Sequence, residues 1–430
     1  ICIAHGIGIG WFAPTMRKMQ TEESPMNFMA TVSEVSWVGS CLGIGAMTGN
    51  ALMGVILPYL GSKLCLLLIA IPQTCYWLLV YFAESVEYLY VGRFLGGLCS
   101  GGMYIVHSMF LSEISDPKIR GTLGAIMMLS VNIGVLLGNI MGTHMPFSIT
   151  PFVVLLFPIM YFVFTLIFIP ESPVHLIKKG KLNEAEKSFR FYKNIQDYNR
   201  AAALEEFADM QQKLTDDSKQ SSSVTIKDYL SRSAFRAYAS AAVLLIVNQF
   251  SGIFSMVSYM SDIFDLSGST MDPDTCTIII GIVQILGTYA TALLCDVWGR
   301  RLLLVVSSGG VAVSLFGFGF FTYFALRHDL SDWSWVPLVL MSLCIFMGNI
   351  GLVGCFFMAL VEMYPIRGRA TSISVVICGF FVFVMLNILP ICMAEWGLPA
   401  TMWSCAGVSA FGFIYFVTFL KETKGKSMLE

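Results

Sequence analysis

Twelve apolar runs leave this chain little choice of solvent. They fall near residues 1–16, 35–57, 64–82, 88–112, 121–143, 150–169, 236–264, 275–295, 302–326, 335–361, 370–393 and 399–420, separated by clusters of charged and turn residues. A helix needs about 20 apolar residues to cross about 30 Å of hydrocarbon, and most of the runs reach that length. Inside a bilayer each such segment must satisfy its own backbone hydrogen bonds, so the expected fold class is an all-α membrane protein of twelve transmembrane helices. Composition agrees, with 56% hydrophobic and 13% charged residues. The net charge of −2 argues against a nucleic-acid partner. The chain opens at Ile1-Cys2-Ile3, apolar from the start and without an initiator Met or a signal-peptide pattern, so residue 1 reads as a start inside the first span. The 12 cysteines lie in or beside the runs without CxxC or His/Cys metal spacing. They read as small packing residues, and neither metal nor cofactor is expected. Many of the 38 glycines also fall inside the runs, where they let helix backbones approach closely.

The polar breaks repeat. Glu113-Ile-Ser-Asp116-Pro117-Lys118-Ile-Arg120-Gly121 between runs four and five returns as Glu362-Met-Tyr-Pro365-Ile-Arg367-Gly368-Arg369 between runs ten and eleven, 249 residues later. Two further pairs keep nearly that phase: Phe168-Ile-Pro-Glu171-Ser172 with Phe419-Leu-Lys-Glu422-Thr423, and Gly61-Ser-Lys63 with Gly299-Arg300-Arg301. The chain is therefore a tandem duplication. Residues 1–170 form one six-helix bundle, 171–235 a cytosolic linker, 236–420 the second bundle and 421–430 a tail. Within the linker, Lys181 to Tyr192 has helical apolar spacing and Asp216 to Ser223 reads as loop. Twenty-two of the 26 Lys and Arg fall on the side of the linker and both termini, which makes that side cytoplasmic. Only Arg17, Lys18 and Arg327 fall on the other, with Arg93 inside a span.

Six spans plus six, joined by a polar linker, point to the major facilitator fold. Pro170-Glu-Ser-Pro173 after span six, Lys421-Glu-Thr-Lys-Gly425 after span twelve, Gly92-Arg93-Phe94, Asn248-Gln249-Phe-Ser-Gly252 in span seven and Asp296-Val-Trp-Gly-Arg300-Arg301 after span eight together resemble the sugar porter family. Gly10-Trp11-Phe12-Ala13-Pro14 and Trp37-Val-Gly39 are most similar to its facilitated trehalose transporter branch. The resemblance implies alternating access, in which two bundles rock about a central site while charges on the cytoplasmic face latch one state. By position the latch residues are Glu113, Arg120, Glu362, Arg369, Asp296, Arg300 and Arg301, with Glu171 and Glu422 as linker and tail partners. An interfacial cluster that only sets topology would look the same, but its recurrence in both halves favours gating. After span two the acid of the family pattern falls on Pro58, so the N-terminal half should hold this latch less firmly.

Sugars are held by amide side chains and stacked aromatic faces in a wet cavity. Asn248 and Gln249 match the paired amides of the family, and Gln284 falls where Asn is usual. Asn349 in span ten and Asn132 in span five are further intramembrane amides, with Phe357, Phe381 and Tyr259 as aromatic faces. Asn139 reads as interhelix packing, as do His5 and His107. Phe254, Met128 and Phe380 occupy positions where the family has amides. The Gly-Pro-x-Pro-Trp element of span ten has become Val353-Gly-Cys-Phe-Phe357, from which loss of the helix break is expected. Proton-coupled members carry a carboxylate where this chain has Phe12, and Arg93 thereby loses its partner. Glu34 is the expected substitute, forming a buried ion pair with Arg93.

No nucleotide-binding glycine loop, metal set or nucleophile constellation occurs, so an enzyme is not expected. The reading is a facilitative uniporter of a hexose, disaccharide or polyol in the plasma membrane, surrounded by lipid, with no obligate protein partner. The eroded amides and the half-lost latch keep a transporter-like sugar receptor or a transport-inactive paralogue as the alternative.

Overall fold

Every long element among the described residues is a helix. The computed structural model describes residues 1–21, 28–115, 119–193, 207–212, 214, 232–363 and 367–420, without the side chains of 120, 121, 232–237, 296, 357, 361, 362 and 367–372. The N-terminal half comprises α1 (Cys2–Gly10), α2 (Phe12–Met19), α3 (Val32–Leu60), α4 (Ser62–Tyr81), α5 (Val86–Ile114), α6 (Arg120–His144) and α7 (Ile149–Phe168). Two short linker helices follow, α8 (Pro173–Lys178) and α9 (Leu182–Tyr192). The C-terminal half comprises α10 (Arg232–Phe250), α11 (Ile253–Ser258), α12 (Met260–Asp265), α13 (Pro273–Trp298), α14 (Arg300–Ala325), α15 (Val336–Gly348), α16 (Phe356–Met363), α17 (Arg367–Glu395) and α18 (Leu398–Thr418).

Eleven spans are long and apolar enough to cross a membrane. The twelfth is α1 with α2, whose nine and eight residues join through Trp11 in helical conformation (φ −58°, ψ −28°). Together the spans form the expected two six-helix bundles. The duplication is visible in backbone geometry. Gly61 (φ 92°, ψ 163°) and Gly299 (φ 80°, ψ 165°) make the same abrupt turn between spans two and three and between eight and nine. Only glycine adopts that region without strain, so the turn holds the repeat in register.

Packing in the N-terminal half rests on reciprocal small-residue faces. Gly6 and Gly10 lie against the carbonyls of Val131 and Val135, while Gly134 and Gly138 lie against those of Ile3 and Ile7. Gly45 and Gly49 face Phe94 and Leu98 in the same way that Gly97 and Gly101 face Leu42 and Ala46. A methyl group at any of these would overlap backbone, so the two helix pairs approach as closely as helices can. The halves meet along two seams, α3 on α17 and α6 on α13, with α2 against α12 at one end. The linker helices cap the opposite end, where Phe189 of α9 packs on Phe207. These ends are called below the far side and the linker side.

Two spans of the C-terminal half are broken at mid-depth. Span seven breaks at Gly252 (φ 80°), between α10 and α11. Span ten also breaks, which corrects the expectation that its hinge had gone with the prolines. Asn349–Val353 form a π turn between α15 and α16. Gly351 and Gly354 let it pack where a Cβ would come within 2.3 Å of the Leu303 and Asn349 carbonyl oxygens respectively. Thr291 Oγ donates to the Asn349 carbonyl at 2.7 Å, and Leu352 N–H donates to Ser307 Oγ at 3.0 Å. Side chains of neighbouring helices thus satisfy backbone freed by the break, a role that requires no proline. The loop residues 216–223 and the tail 421–430 lie outside the described residues.

Candidate functional site

A cavity of about 180 Å³ lies between the halves, at the level of both breaks. Asn132, Asn248, Gln249, Gln284 and Asn349, all expected from sequence, are brought together in its lining. Their roles differ. Gln284 Nε2 donates to Asn132 Oδ1 at 2.9 Å across the α6 and α13 seam, and Asn132 Nδ2 donates to Thr288 Oγ. Asn248 Nδ2 donates to the Leu352 carbonyl, which ties span seven to the π turn, while its Oδ1 accepts from Gln249 Nε2. Asn349 donates to the Ile345 carbonyl of its own helix at 2.8 Å.

His5, Asn50, Ser100 and Tyr104 join them in the lining, with Thr288 and Cys378. His5 Nε2 and Ser100 Oγ are 3.1 Å apart, so His5 faces the cavity rather than serving packing alone. Asn50 Nδ2 reaches the Val375 carbonyl at 3.4 Å across the α3 and α17 seam. Its place in the middle of an apolar run was the available sequence signal. Two amide oxygens of the lining, Asn50 Oδ1 and Gln284 Oε1, are buried without a protein partner, as are Gln73 Oε1 and Asn139 Oδ1 away from it. Such an acceptor costs about 1–3 kcal/mol when left unmade, which marks it as a place for a donor from outside the chain.

Met128 and Phe254 line the cavity where amides were expected in the family. Phe380, by contrast, is 47% exposed and packs against Phe381 and Phe383, so that substitution does not touch the site. Phe381 meets Phe250 edge to face and is not among the lining residues. The side chain of Phe357 lies outside the described residues, while its neighbour Phe356 reaches the lining. Asn139 crosses the seam to the Thr277 carbonyl at 3.2 Å, a packing contact as expected. His107 bonds Met103 and Tyr161, also away from the lining.

Tyr259 belongs to a seal above the cavity. It is buried, donates to the Leu386 carbonyl at 2.8 Å and meets Phe12 edge to face at 5.7 Å. A Cβ on Gly39 would sit 2.1 Å from its hydroxyl, so α3 and span seven touch here with no room for a side chain. Behind Phe12 lies Arg93, 2% exposed, its guanidinium 4.2 Å from the Phe12 ring centroid and donating to the Gly8 carbonyl at 2.9 Å. The expected Arg93 to Glu34 pair is not formed. Glu34 instead accepts from the Thr31 N–H and hydroxyl, both at 2.8 Å, as the third residue of a capping box. A helix start satisfies that carboxylate locally, and the cation faces a ring and one carbonyl while its Nε and Nη2 are buried without a hydrogen-bond partner.

Further toward the far side, Arg17 joins the halves. Its Nη1 lies 3.3 Å from Asp274 and its Nε 3.8 Å from Asp265. Asp274 is 6% exposed and also accepts from Ser261. On the linker side, Glu113 accepts from Ser62 Oγ at 2.7 Å, and Glu171 accepts from the Lys63 and Ser172 N–H groups. Arg300 donates to the Cys295 carbonyl, and Arg301 to the carbonyls of Phe416 and Val417. These bonds stay within one half or its linker. The side chains of Arg120, Asp296, Glu362 and Arg369, and all of Glu422, lie outside the described residues.

A family model described as "Sugar (and other) transporter" matches residues 9–430. The facilitated trehalose transporter Tret1 of Polypedilum vanderplanki is 29% identical over 428 residues, covering 99% of this chain and 84% of that protein. Tret1 of Bombyx mori is 27% identical over 430 residues, covering 99% and 83%. Among solved structures, a partially occluded inward open conformation of the xylose transporter XylE from E. coli superposes with a TM-score of 0.76 at 19% identity, covering 99% of this chain and 97% of that one.

Proposed function

We propose that this chain, which belongs to the sugar (and other) transporter family, carries a mono- or disaccharide down its gradient by alternating access. It is a transporter and not an enzyme. The observation that carries the finer reading is the pair of unpartnered acceptors, Asn50 Oδ1 and Gln284 Oε1, each on an amide that bridges the two halves. A sugar hydroxyl donating to either would bind groups from both bundles at once. Rocking the bundles breaks those bridges, so solute and conformation are coupled through the same side chains. Trehalose is the first solute to test, because the named relatives carry it.

Uniport is the coupling mode the lining favours. Its titratable groups are His5, Tyr104 and Cys378, with no carboxylate among the described lining residues. The side that carries most of the Lys and Arg is the cytoplasmic one. With the seal at the far end, the conformation faces the cytoplasm, and the membrane that fits a nutrient carrier is the plasma membrane.

The test is counterflow of labelled trehalose and glucose in proteoliposomes, which a carrier supports and a sugar receptor does not. Gln249→Ala should abolish exchange while the purified protein keeps its monodisperse elution profile. Exchange at the wild-type rate would remove Gln249 from the site, and absence of counterflow with every sugar in the wild type would remove the carrier.

A further inference from the structure

We propose that Cys295 and Cys355 are an oxidation-sensitive thiol pair whose disulfide staples α13 to the hinge of span ten and arrests transport. The two Sγ atoms are 3.4 Å apart, and both side chains are buried. A disulfide bond is about 2.05 Å long, so closure asks the sulfurs to approach by little more than an ångström. That is within the reach of a side-chain rotation beside a π turn.

The location gives the bond its consequence. Thr291 and Cys295 lie one helical turn apart on α13 and present the same face to the hinge. Thr291 already holds the Asn349 carbonyl at 2.7 Å, and Cys295 sits against Cys355 just beyond the turn. Gly354, the neighbour of Cys355, lines the cavity, which gives a small polar oxidant a route to the pair. Arg300 fixes positive charge at the same cluster, donating to the Cys295 carbonyl at 3.1 Å and contacting Met358 Sδ at 3.0 Å. The thiolate is the reacting species.

With hydrogen peroxide as oxidant, one thiolate attacks the peroxide, giving a sulfenic acid and releasing hydroxide that takes up the thiol's proton as water. The second thiolate then displaces hydroxide from the sulfenic sulfur to form the S–S bond. Overall two thiols and one peroxide give one disulfide and two waters. A reducing cytosol keeps the pair open, so the staple would close only under oxidative load. The functional half of this inference rests on the carrier reading, and the chemical half does not.

The test treats reconstituted full-length protein with hydrogen peroxide, then measures sugar counterflow and maps crosslinked peptides by mass spectrometry. The expected result is a peptide joining Cys295 to Cys355, loss of exchange, and recovery of both by dithiothreitol. Cys295→Ala and Cys355→Ala should each keep exchange under peroxide. Absence of that crosslink from oxidised wild type, a readout that needs no variant, overturns the proposal. So does peroxide inhibition that persists undiminished in both variants. A reduced wild type without counterflow would instead defeat the carrier reading, while the crosslink would still report on the pair.

Discussion

The two ends of the central cavity are built differently. At the far end the halves touch directly: Arg17 spans to Asp265 and Asp274, Phe12 meets Tyr259, Ser36 Oγ donates to the Asn387 carbonyl at 2.7 Å, and Gly39 leaves no gap. At the linker end Glu113 accepts from Ser62 and Glu171 from the Lys63 N–H, bonds within one half. Closure at the far end thus combines a dry aromatic contact, a close approach of Gly39 to the Tyr259 side chain and a partly exposed ion pair. These are contacts that can be gained or lost as a unit when rigid bundles rotate. Their unequal strengths set the order in which the comparison can be broken.

The close approach at Gly39 should matter most. Gly39→Trp inserts a side chain where even a Cβ would lie 2.1 Å from the Tyr259 hydroxyl. The far end could then no longer close, and counterflow should fall to background while trehalose binding, followed by quenching of tryptophan fluorescence, persists. Retained exchange would mean that closure does not pass through this contact. Phe12→Leu should come next. It removes the edge-to-face contact with Tyr259 across the halves, worth up to about 1.5 kcal/mol, whereas the contact with Arg93 lies within one half and is shared by both states. A loss of that size shifts the far-closed population by up to about 12-fold. Labelling of an engineered Thr288→Cys thiol by a membrane-impermeant reagent from the far side should rise accordingly, and unchanged labelling would assign the seal to other contacts.

Arg17→Gln tests the ion pair. Arg17 and Asp265 are 29% and 57% exposed, so that bond is worth little, whereas Asp274 is enclosed and loses a cation. An effect of about 1 kcal/mol is expected, roughly five-fold in the same labelling assay, and it should shrink as salt is raised. An effect larger than that of Phe12→Leu would reverse the ranking of dry contact over ion pair.

How much of this was legible in the sequence follows from what each signal measures. Run length and the recurring Glu, Pro and Arg gave spans, halves and phase, because membrane thickness and duplication act on the chain directly. Five of the six amides in the lining were legible for a related reason: an amide inside hydrocarbon needs a partner or a solute, a signal that Asn50 also carries. Tyr259 and Phe381 were not, because an aromatic residue in an apolar span has no preferred destination between seal, lining and packing. Arg93 was misread in its partner because a carboxylate was sought, while Phe12 and the Gly8 carbonyl were at hand. Arg17 was visible as one of three cations on a charge-poor face, yet its partners Asp265 and Asp274 come from the other half and are adjacent only after folding. The hinge of span ten was judged by its missing prolines, although Gly351, Gly354 and Thr291 provide it.

The smallest effect expected is at Asp272, where α13 begins beside the Arg17 contact. Asp272 caps this helix, accepting from the Thr275 N–H at 2.8 Å and the Thr275 hydroxyl at 2.6 Å. Those bonds, led by the hydroxyl, hold its carboxyl below the ordinary value of 3.8. Asp272→Ala should cost about 1 kcal/mol of stability, the usual worth of an N-cap. A carboxyl depressed in the folded state contributes fully above its unfolded pKa and loses that contribution as pH falls through the folded one. The difference in melting temperature between wild type and variant should therefore stay constant from neutral pH down to about 5 and narrow only under stronger acid. Far-side labelling at neutral pH should be unchanged, because the cap lies within one half and Arg17 reaches Asp274 past it. A labelling increase matching that of Arg17→Gln would mean that the ion pair depends on the cap to place Asp274, and the far-side latch would then begin at the N-cap of α13.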